Sequence, residues 1–364
     1  MRQMRAALFL GPDRPLELVD DVEIDAPRQG EVLVQIQHTG VCHSDLGIID
    51  GGLPYPAPAI LGHEACGVIA QVGPGVTNLR TNDRVVVSMR PPCGHCYWCV
   101  RDQPVLCAQT AGPPGSGEVR LRRRGASVMR GFRLGAFAEF VLVEASGAIP
   151  VPDAVPMELA AVMGCAVQTG IGSVTNVAKV EAGATAIVFG LGGVGLAVIQ
   201  GLTLAGASVV IGIDPVEARR KKAEDLGATS TFDSSAKDVR DRAYAATRGI
   251  GVDYAFDTVS TTATTSAAIA ALRRGGSLTL IGVPGASQQL GVTPLELVMQ
   301  QKSVHGSFLG NCHAQRDLTR YFDLCITKRL DLGALVTRAR PLAQINEAFA
   351  DMRNGIGVRT VLEL

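Results

Sequence analysis

A chain of 364 residues, 47% of them hydrophobic and with a mean hydropathy of +0.22, is long enough to bury two cores and needs no more. Its 34 basic and 34 acidic residues cancel, leaving no net field for nucleic acid or an anionic membrane, and neither is expected as a partner. The 42 glycines follow no fixed period and there is no internal repeat, which excludes collagen-like and low-complexity classes.

At the N-terminus the short apolar run AALFL is broken up by Arg2, Arg5 and Asp13, so no secretory leader is expected and the location should be cytoplasmic. In that compartment nine cysteines read as metal ligands or buried thiols rather than disulfides. Through about residue 150 the chain reads as mainly β. Runs rich in Val, Ile and Leu at 31–37, 67–72, 84–88 and 137–143 are separated there by Gly, Pro and Asp turns. Two charge-free stretches, 159–178 and 182–213, have the length of membrane spans. The second carries eight glycines and divides into a β-rich run, a glycine turn and a helix, which is the reading of a buried βαβ unit. From about residue 180, strands expected at 186–189, 209–214, 229–232, 254–258, 278–282 and 304–308 alternate with helical spacing, as at 215–226 and 261–273. Six such strands imply a doubly wound parallel sheet. The mixed tail 316–364 is expected to return to the first domain. The layout is then 1–166 and 308–364 as one domain, with 167–307 inserted as a nucleotide domain.

Cys93, Cys96, Cys99 and Cys107 form C-x2-C-x2-C-x7-C. Such spacing lets one loop wrap a tetrahedral ion with four thiolates, closing the coordination sphere to substrate. Zinc is the favoured occupant, although an iron–sulfur centre uses the same ligands at similar spacing. Further on, Gly190-Leu191-Gly192-Gly193-Val194-Gly195 contains G-x-G-x-x-G between the strand AIVF and a helix. There the glycines permit a tight turn and close approach of a pyrophosphate to the helix N-terminus. Asp214 ends the next strand, where a carboxylate grips the adenosine ribose of NAD and disfavours the phosphate of NADP.

The segment Gly62-His63-Glu64-x2-Gly67-x5-Gly73-x2-Val76, together with Gly40-Val41-Cys42-His43-Ser44-Asp45 and Gly164-Cys165, resembles the zinc-containing alcohol dehydrogenases of the medium-chain dehydrogenase/reductase superfamily. The resemblance covers essentially the whole chain. It implies a Rossmann domain plus a mainly β, GroES-like catalytic domain, two zinc ions per chain, and NAD. It also makes the four-cysteine loop the structural zinc site. Cys42, His63 and Cys165 would hold a catalytic zinc, a set of two cysteines and one histidine for which alcohol dehydrogenases are themselves the standing example. Asp45 would accept from the imidazole of His63 and fix its tautomer. Glu64 would lie near the metal and bind it transiently. Ser44 would take the substrate proton and pass it to the cofactor ribose. Some relatives place a histidine five residues after the first cysteine ligand, but Gly47 stands there, so the end of that relay is not defined. The resemblance further places His43 and Arg359 at the cofactor pyrophosphate, Val194 and Thr169 behind the nicotinamide, and Arg219 near the adenosine. Ile281 is counted with the cofactor residues and, with Leu53 and Met89, with an apolar pocket.

The expected reaction is reversible hydride transfer between a primary alcohol, with a hydrophobic, allylic or aromatic body, and NAD. The alternative is a thiol-dependent formaldehyde dehydrogenase of the same family. That branch has an arginine where Ala111 stands here, and acidic residues where Leu53 and Tyr55 stand. An arginine cluster, Arg120, Arg122, Arg123, Arg124, Arg130 and Arg133, would revive the alternative if it held a conjugate's carboxylate; its simpler reading is a solvated loop. A metal-free quinone reductase or non-catalytic relative typically loses the zinc ligands, all seven of which stand here. Cys66, Cys312, Cys325, His38, His95, His305 and His313 are given no role. A homodimer or homotetramer is expected through edge strands near 303–308.

Overall fold

The β-branched runs of the N-terminal part pair into two sheet systems in the computed structural model, which describes residues 1–112, 118–234, 238–285 and 287–364. The strands Arg2–Phe9, Glu17–Ile24, Leu121–Arg123, Ala126–Arg130 and Ala59–Ile60 close into a barrel. A seven-stranded sheet sets Ala148–Pro150, Arg84–Val87, Glu64–Val72, Glu31–Gly40, Arg359–Glu363 and Val336–Pro341 side by side, with Phe140–Glu144 also paired to Glu31–Gly40. A core containing Phe9, Ile24, Ile60, Phe137 and Phe349 fills this unit, which comprises Met1–Cys165 and Cys312–Leu364.

The second unit, Ala166–Asn311, is a six-stranded parallel sheet. Its order is Ser230–Phe232, Val209–Ile213, Thr185–Phe189, Val252–Asp257, Leu272–Leu280 and Ser303–Gly306, which is 3-2-1-4-5-6 by chain position. That order defines the doubly wound dinucleotide fold, with its switch point beside the first strand. Ile187, Ile211, Ala255 and Leu278 form the buried centre.

Two boundaries differ from expectation. The fifth parallel strand begins at Leu272, six residues before the expected 278, because Leu272 pairs with Val252 and Arg273 binds Asp253 at 2.6 Å. The polar run Arg273–Gly276 shows no apolar alternation to reveal this. The inserted unit ends at Asn311 rather than 307, since the turn Leu309–Asn311 packs on the start of the same unit. Asn176 donates to the Gly310 carbonyl at 3.2 Å, and a Cβ at Gly310 would lie 2.3 Å from the Gln168 carbonyl oxygen.

Among the described residues no single helix is long and apolar enough to cross a membrane. The stretch 182–213 is a strand, a turn, a helix and a strand, and 159–178 is a series of short helical segments.

Candidate active site

The four-cysteine segment is built from tight local turns. The 3-10 turns Cys99–Arg101 and Pro104–Leu106 and a left-handed Gly94 (φ +80°) bring the sulfurs of Cys93, Cys96, Cys99 and Cys107 within 4.8 Å of one another. No disulfide joins them. Backbone N–H groups, that of Ala108 foremost, lower Cys96 to about 6, while burial pushes Cys99 up to about 12. A soft, closed set of four sulfurs at this spacing fits zinc.

The second cluster is assembled by sheet register. Gly40 and Glu64 are paired partners on the antiparallel strands Glu31–Gly40 and Glu64–Val72, so Cys42, just past the first, meets His63, just before the second. Cys165 arrives from the turn after Ala161–Gly164, where a Cβ on Gly164 would come within 2.9 Å of the Val87 carbonyl oxygen. The ligand atoms of Cys42, His63, Glu64 and Cys165 lie within 4.8 Å of one another, all buried. Gly40 is required beside them, because a Cβ there would stand 2.3 Å from Glu64 Oε2.

Asp45, fully buried, organises the histidine. Its Oδ1 accepts from the Gly62 N–H at 2.9 Å and its Oδ2 lies 3.1 Å from His63 Nδ1. Both ring nitrogens of His63 are buried without an aligned hydrogen bond; Nδ1 faces the Asp45 carboxylate, which leaves Nε2 as the nitrogen available to a metal. Burial opposes charge on His63, but Asp45 and Cys42 outweigh it and hold the imidazole well above its usual value. A hydrogen bond from Cys165, aided by Arg359 and His63, holds the Cys42 thiol well below its usual value; Cys165, the donor, is pushed up. Burial raises Glu64 to about 7 despite the neighbouring guanidinium. Arg359 donates to the Val41 carbonyl at 2.7 Å and reaches Glu64 Oε1 at 3.3 Å. The donor set therefore fits a divalent zinc, whose charge would stabilise two thiolates at once.

Ser44, half-buried, places its Oγ 3.9 Å from Cys42 Sγ, and His43 beside it is exposed. At Gly47, Leu53 fills the flank: a Cβ would meet its Cδ1 at 3.3 Å.

Phe132, which sequence reasoning passed over, contacts the site directly. Its ring lies 4.3 Å from the His63 ring, centroid to centroid, tilted by 50°. Among the described residues the six arginines are engaged with the chain's own acceptors, Arg133 Nε alone being buried without a partner. Arg120, buried, pairs with Asp25 and Glu31; Arg122 with Asp25; Arg123 and Arg124 with Asp21; Arg133 with Glu144; Arg130 donates to the Leu142 carbonyl. Three of the carboxylates, those of Asp21, Asp25 and Glu31, come from strands or turns about 100 residues earlier in the chain, which is why the run alone does not reveal them.

In the second unit the glycine loop is differentiated residue by residue. Gly190 has φ +83°, and a Cβ there would meet Thr258 Oγ1 at 2.5 Å. A Cβ on Gly195 would come within 1.8 Å of the Gly190 carbonyl oxygen, whereas Gly192 faces open space. Two glycines thus serve the turn and the helix packing, and the middle one leaves a cradle for a pyrophosphate over the N-terminus of Gly193–Ala205. Asp214 is buried, and its two oxygens accept from the N–H groups of Leu191 and Val216, both at 2.8 Å, with Arg219 at 3.9 Å. It holds the glycine loop against the strand end. Thr169 is buried with its hydroxyl unpartnered, Val194 is half-buried and Ile281 buried. A further acid not singled out from the sequence, Asp257, accepts from Val259, Ser260, Thr264 and Thr265 and shapes the neighbouring loop.

The parallel sheet with its glycine loop, and the buried two-cysteine, one-histidine set on a mainly β unit, define a dehydrogenase with a metal-binding ligand set. Residues 28–153 match the alcohol dehydrogenase GroES-like domain and 193–326 the zinc-binding dehydrogenase family. The chain is 36% identical to a Mycobacterium tuberculosis protein provisionally named alcohol dehydrogenase D, and 34% identical to the NDMA-dependent alcohol dehydrogenase of Amycolatopsis methanolica, over 98% of each chain in both cases. The benzyl alcohol dehydrogenase of Acinetobacter calcoaceticus superposes with a TM-score of 0.93 at 29% identity, covering 100% of both chains. The chain belongs to the zinc-containing alcohol dehydrogenases of the medium-chain dehydrogenase/reductase superfamily, and alcohol dehydrogenation is its class of reaction.

Proposed function

We propose that the chain is an NAD-linked, two-zinc alcohol dehydrogenase that interconverts primary alcohols of hydrophobic, allylic or aromatic body with their aldehydes. The observation that carries this reading is the buried Cys42–His63–Cys165 set, with His63 Nε2 unpartnered and Asp45 behind the ring. A zinc ion there supplies Lewis-acid stabilisation of negative charge on the substrate oxygen, and the nicotinamide supplies the hydride acceptor. Asp45 fixes the imidazole so that Nε2 is the binding nitrogen. Ser44 is the proton acceptor for the substrate hydroxyl. Glu64, held 3.3 Å from Arg359, is the residue that would bind the metal transiently.

The substrate class rests on what the polar groups already do. With five of the six arginines paired to the chain's own carboxylates and Arg130 bound to a carbonyl, and Ala111, Leu53 and Tyr55 in place of charged anchors, a thiol conjugate has little to hold it. The likeness to a benzyl alcohol dehydrogenase supports an aromatic body. NAD is favoured over NADP by the acid at 214, since each charge pair at about 4 Å repels a ribose phosphate by roughly 1–4 kcal/mol. Asp214→Ser should weaken NAD binding about tenfold and narrow the gap to NADP, read by titration with both cofactors; equal efficiency of the two cofactors in the unaltered enzyme overturns that role. A cytoplasmic homodimer or homotetramer completes the reading. Ser303–Gly306 ends the parallel sheet, and the preceding helix Pro294–Gln300 exposes Leu295, Val298 and Met299 for such pairing.

The experiment is a panel of alcohols and aldehydes assayed with NAD, with and without glutathione. Oxidation of benzylic and allylic alcohols without thiol is the expected result. Activity only with formaldehyde plus thiol overturns the substrate assignment.

A further inference from the structure

Phe132 adopts a conformation that a bulky residue avoids. Its backbone is left-handed (φ +50°, ψ 31°), and Arg133 after it is left-handed as well (φ +68°). For an aromatic side chain such a backbone is an outlier that persists only where its surroundings enforce it. Those surroundings are the segment that carries His63. A Cβ on Gly131 would fall 2.6 Å from Leu61 Cα and 2.7 Å from the Ile60 carbonyl oxygen, so the loop lies directly on that segment. Five and six residues on, Ala136 and Phe137 donate their N–H groups to the carbonyls of Gly62 and Leu61 at 3.0 and 2.9 Å. Gly62 itself has φ +92°, and a Cβ there would lie 2.7 Å from the Phe137 nitrogen. Tyr55 closes the other end, its hydroxyl donating to the Arg130 carbonyl at 2.9 Å and its ring 6.4 Å from that of Phe132.

We propose that Phe132 is a positioning residue for the metal ligand His63: the loop Gly131–Phe137 is a template laid along Leu61–His63, and the left-handed turn at Phe132 exists to press its ring against the imidazole. Asp45 fixes one edge of His63 through Nδ1, while Phe132 restrains the ring's tilt from its face. Two restraints of different direction define the line along which Nε2 points. The Asp45 contact, a close approach of charges at 3.1 Å in which neither Nδ1 nor Oδ2 makes an aligned hydrogen bond, leaves the ring's tilt open. The backbone cost of the turn is thereby converted into precision at a ligand atom.

This inference rests on the reading that Cys42, His63 and Cys165 hold a zinc ion, and the test separates the two. Zinc-loaded unaltered protein and the variants Phe132→Leu, Phe132→Tyr and Phe132→Gly are exposed to a chromophoric chelator, and the release rate of each zinc is recorded. The visible spectrum after cobalt substitution of the Cys42–His63–Cys165 site is recorded alongside. Phe132→Leu keeps apolar bulk without a ring, Phe132→Tyr keeps the ring, and Phe132→Gly removes the ring while relaxing the left-handed backbone. Expected is an about tenfold or greater acceleration of one zinc's release in the Leu and Gly variants, the range typical for groups that orient a ligand. The cobalt spectrum should shift in the same two variants, and Phe132→Tyr should restore both readouts. Phe132→Gly relieves the left-handed backbone but removes a ring packed on the core, so the melting curve and the release of the Cys93–Cys107 zinc are recorded with it; faster release confined to one zinc in a folded protein is not a sign of misfolding. If the Leu variant releases zinc at the unaltered rate with an unchanged spectrum, and only KM for bulky alcohols rises, Phe132 is a pocket wall and the proposal fails. An unaltered protein that binds no metal at this set would instead sink the reading beneath it.

Discussion

The four sulfurs of the Cys93–Cys107 lobe come from one short, partly exposed stretch, whereas the buried cluster draws its ligands from positions 42, 63, 64 and 165. In the lobe, local turns alone bring the ligands together, so a metal held there would do little beyond closing that loop. In the cluster, the ligands meet only when Gly40 pairs with Glu64 and the turn at Gly164 reaches the strand Arg84–Val87. One site is a product of sequence proximity, suited to a stabilising metal; the other is a product of tertiary register, suited to being shaped around a substrate.

The sharpest way to break this comparison is to delete a ligand from each. Cys42→Ala or Cys165→Ala should lower turnover on the order of 10³-fold or more, given that loss of even one donor to a developing oxyanion costs 10²–10³. Cofactor binding and the melting curve should change little. Cys99→Ala should do the reverse, lowering stability by several kcal/mol, a part of the roughly 10–16 kcal/mol with which structural zinc binds finger peptides. Metal analysis should find one zinc fewer in each, and a fully active protein with one zinc or none would collapse the distinction. A finer test uses glycines that touch no metal. Gly40→Ala drives a Cβ against Glu64 Oε2 and should cut activity about tenfold to a hundredfold through the displaced ligand shell. Gly94→Ala meets nothing within 4 Å but must hold φ +80°, and should cost only about 1–2 kcal/mol of stability, with activity retained at low temperature.

What could be read from the sequence divides along the same line. The lobe's spacing, the glycine loop and five of the six parallel strands lie in local patterns of period and turn residues, and the structure shows each close to where those patterns put it. Cys42, His63 and Cys165 share no local pattern; only likeness to a family's motifs gathered them, and the structure supplies the reason in strand register. Three features lay beyond either route. The partners of the arginine run sit on distant strands, and burial of Arg120 is decided by Asp25 and Glu31. Asp214 looked like a ligand-facing acid, but two backbone N–H groups make it a brace for the loop as well. Phe132 drew no notice, since nothing local announces a left-handed phenylalanine.

The strand Arg359–Glu363 carries a consequence for how the protein is made. Val361 pairs with Gly40 and Thr360 accepts from Val41, so this strand flanks the approach to Cys42. A ribosome delivers it some 320 residues after its partner, on the order of tens of seconds later. All six parallel strands of Ala166–Asn311 are synthesised before then, while the first unit still waits for its last strand. Until Arg359 arrives, Glu64 lacks its nearby guanidinium and the sheet edge beside Cys42 stands unpaired. The nascent chain thus holds every strand of its parallel sheet before the sheet edge beside Cys42 can be paired.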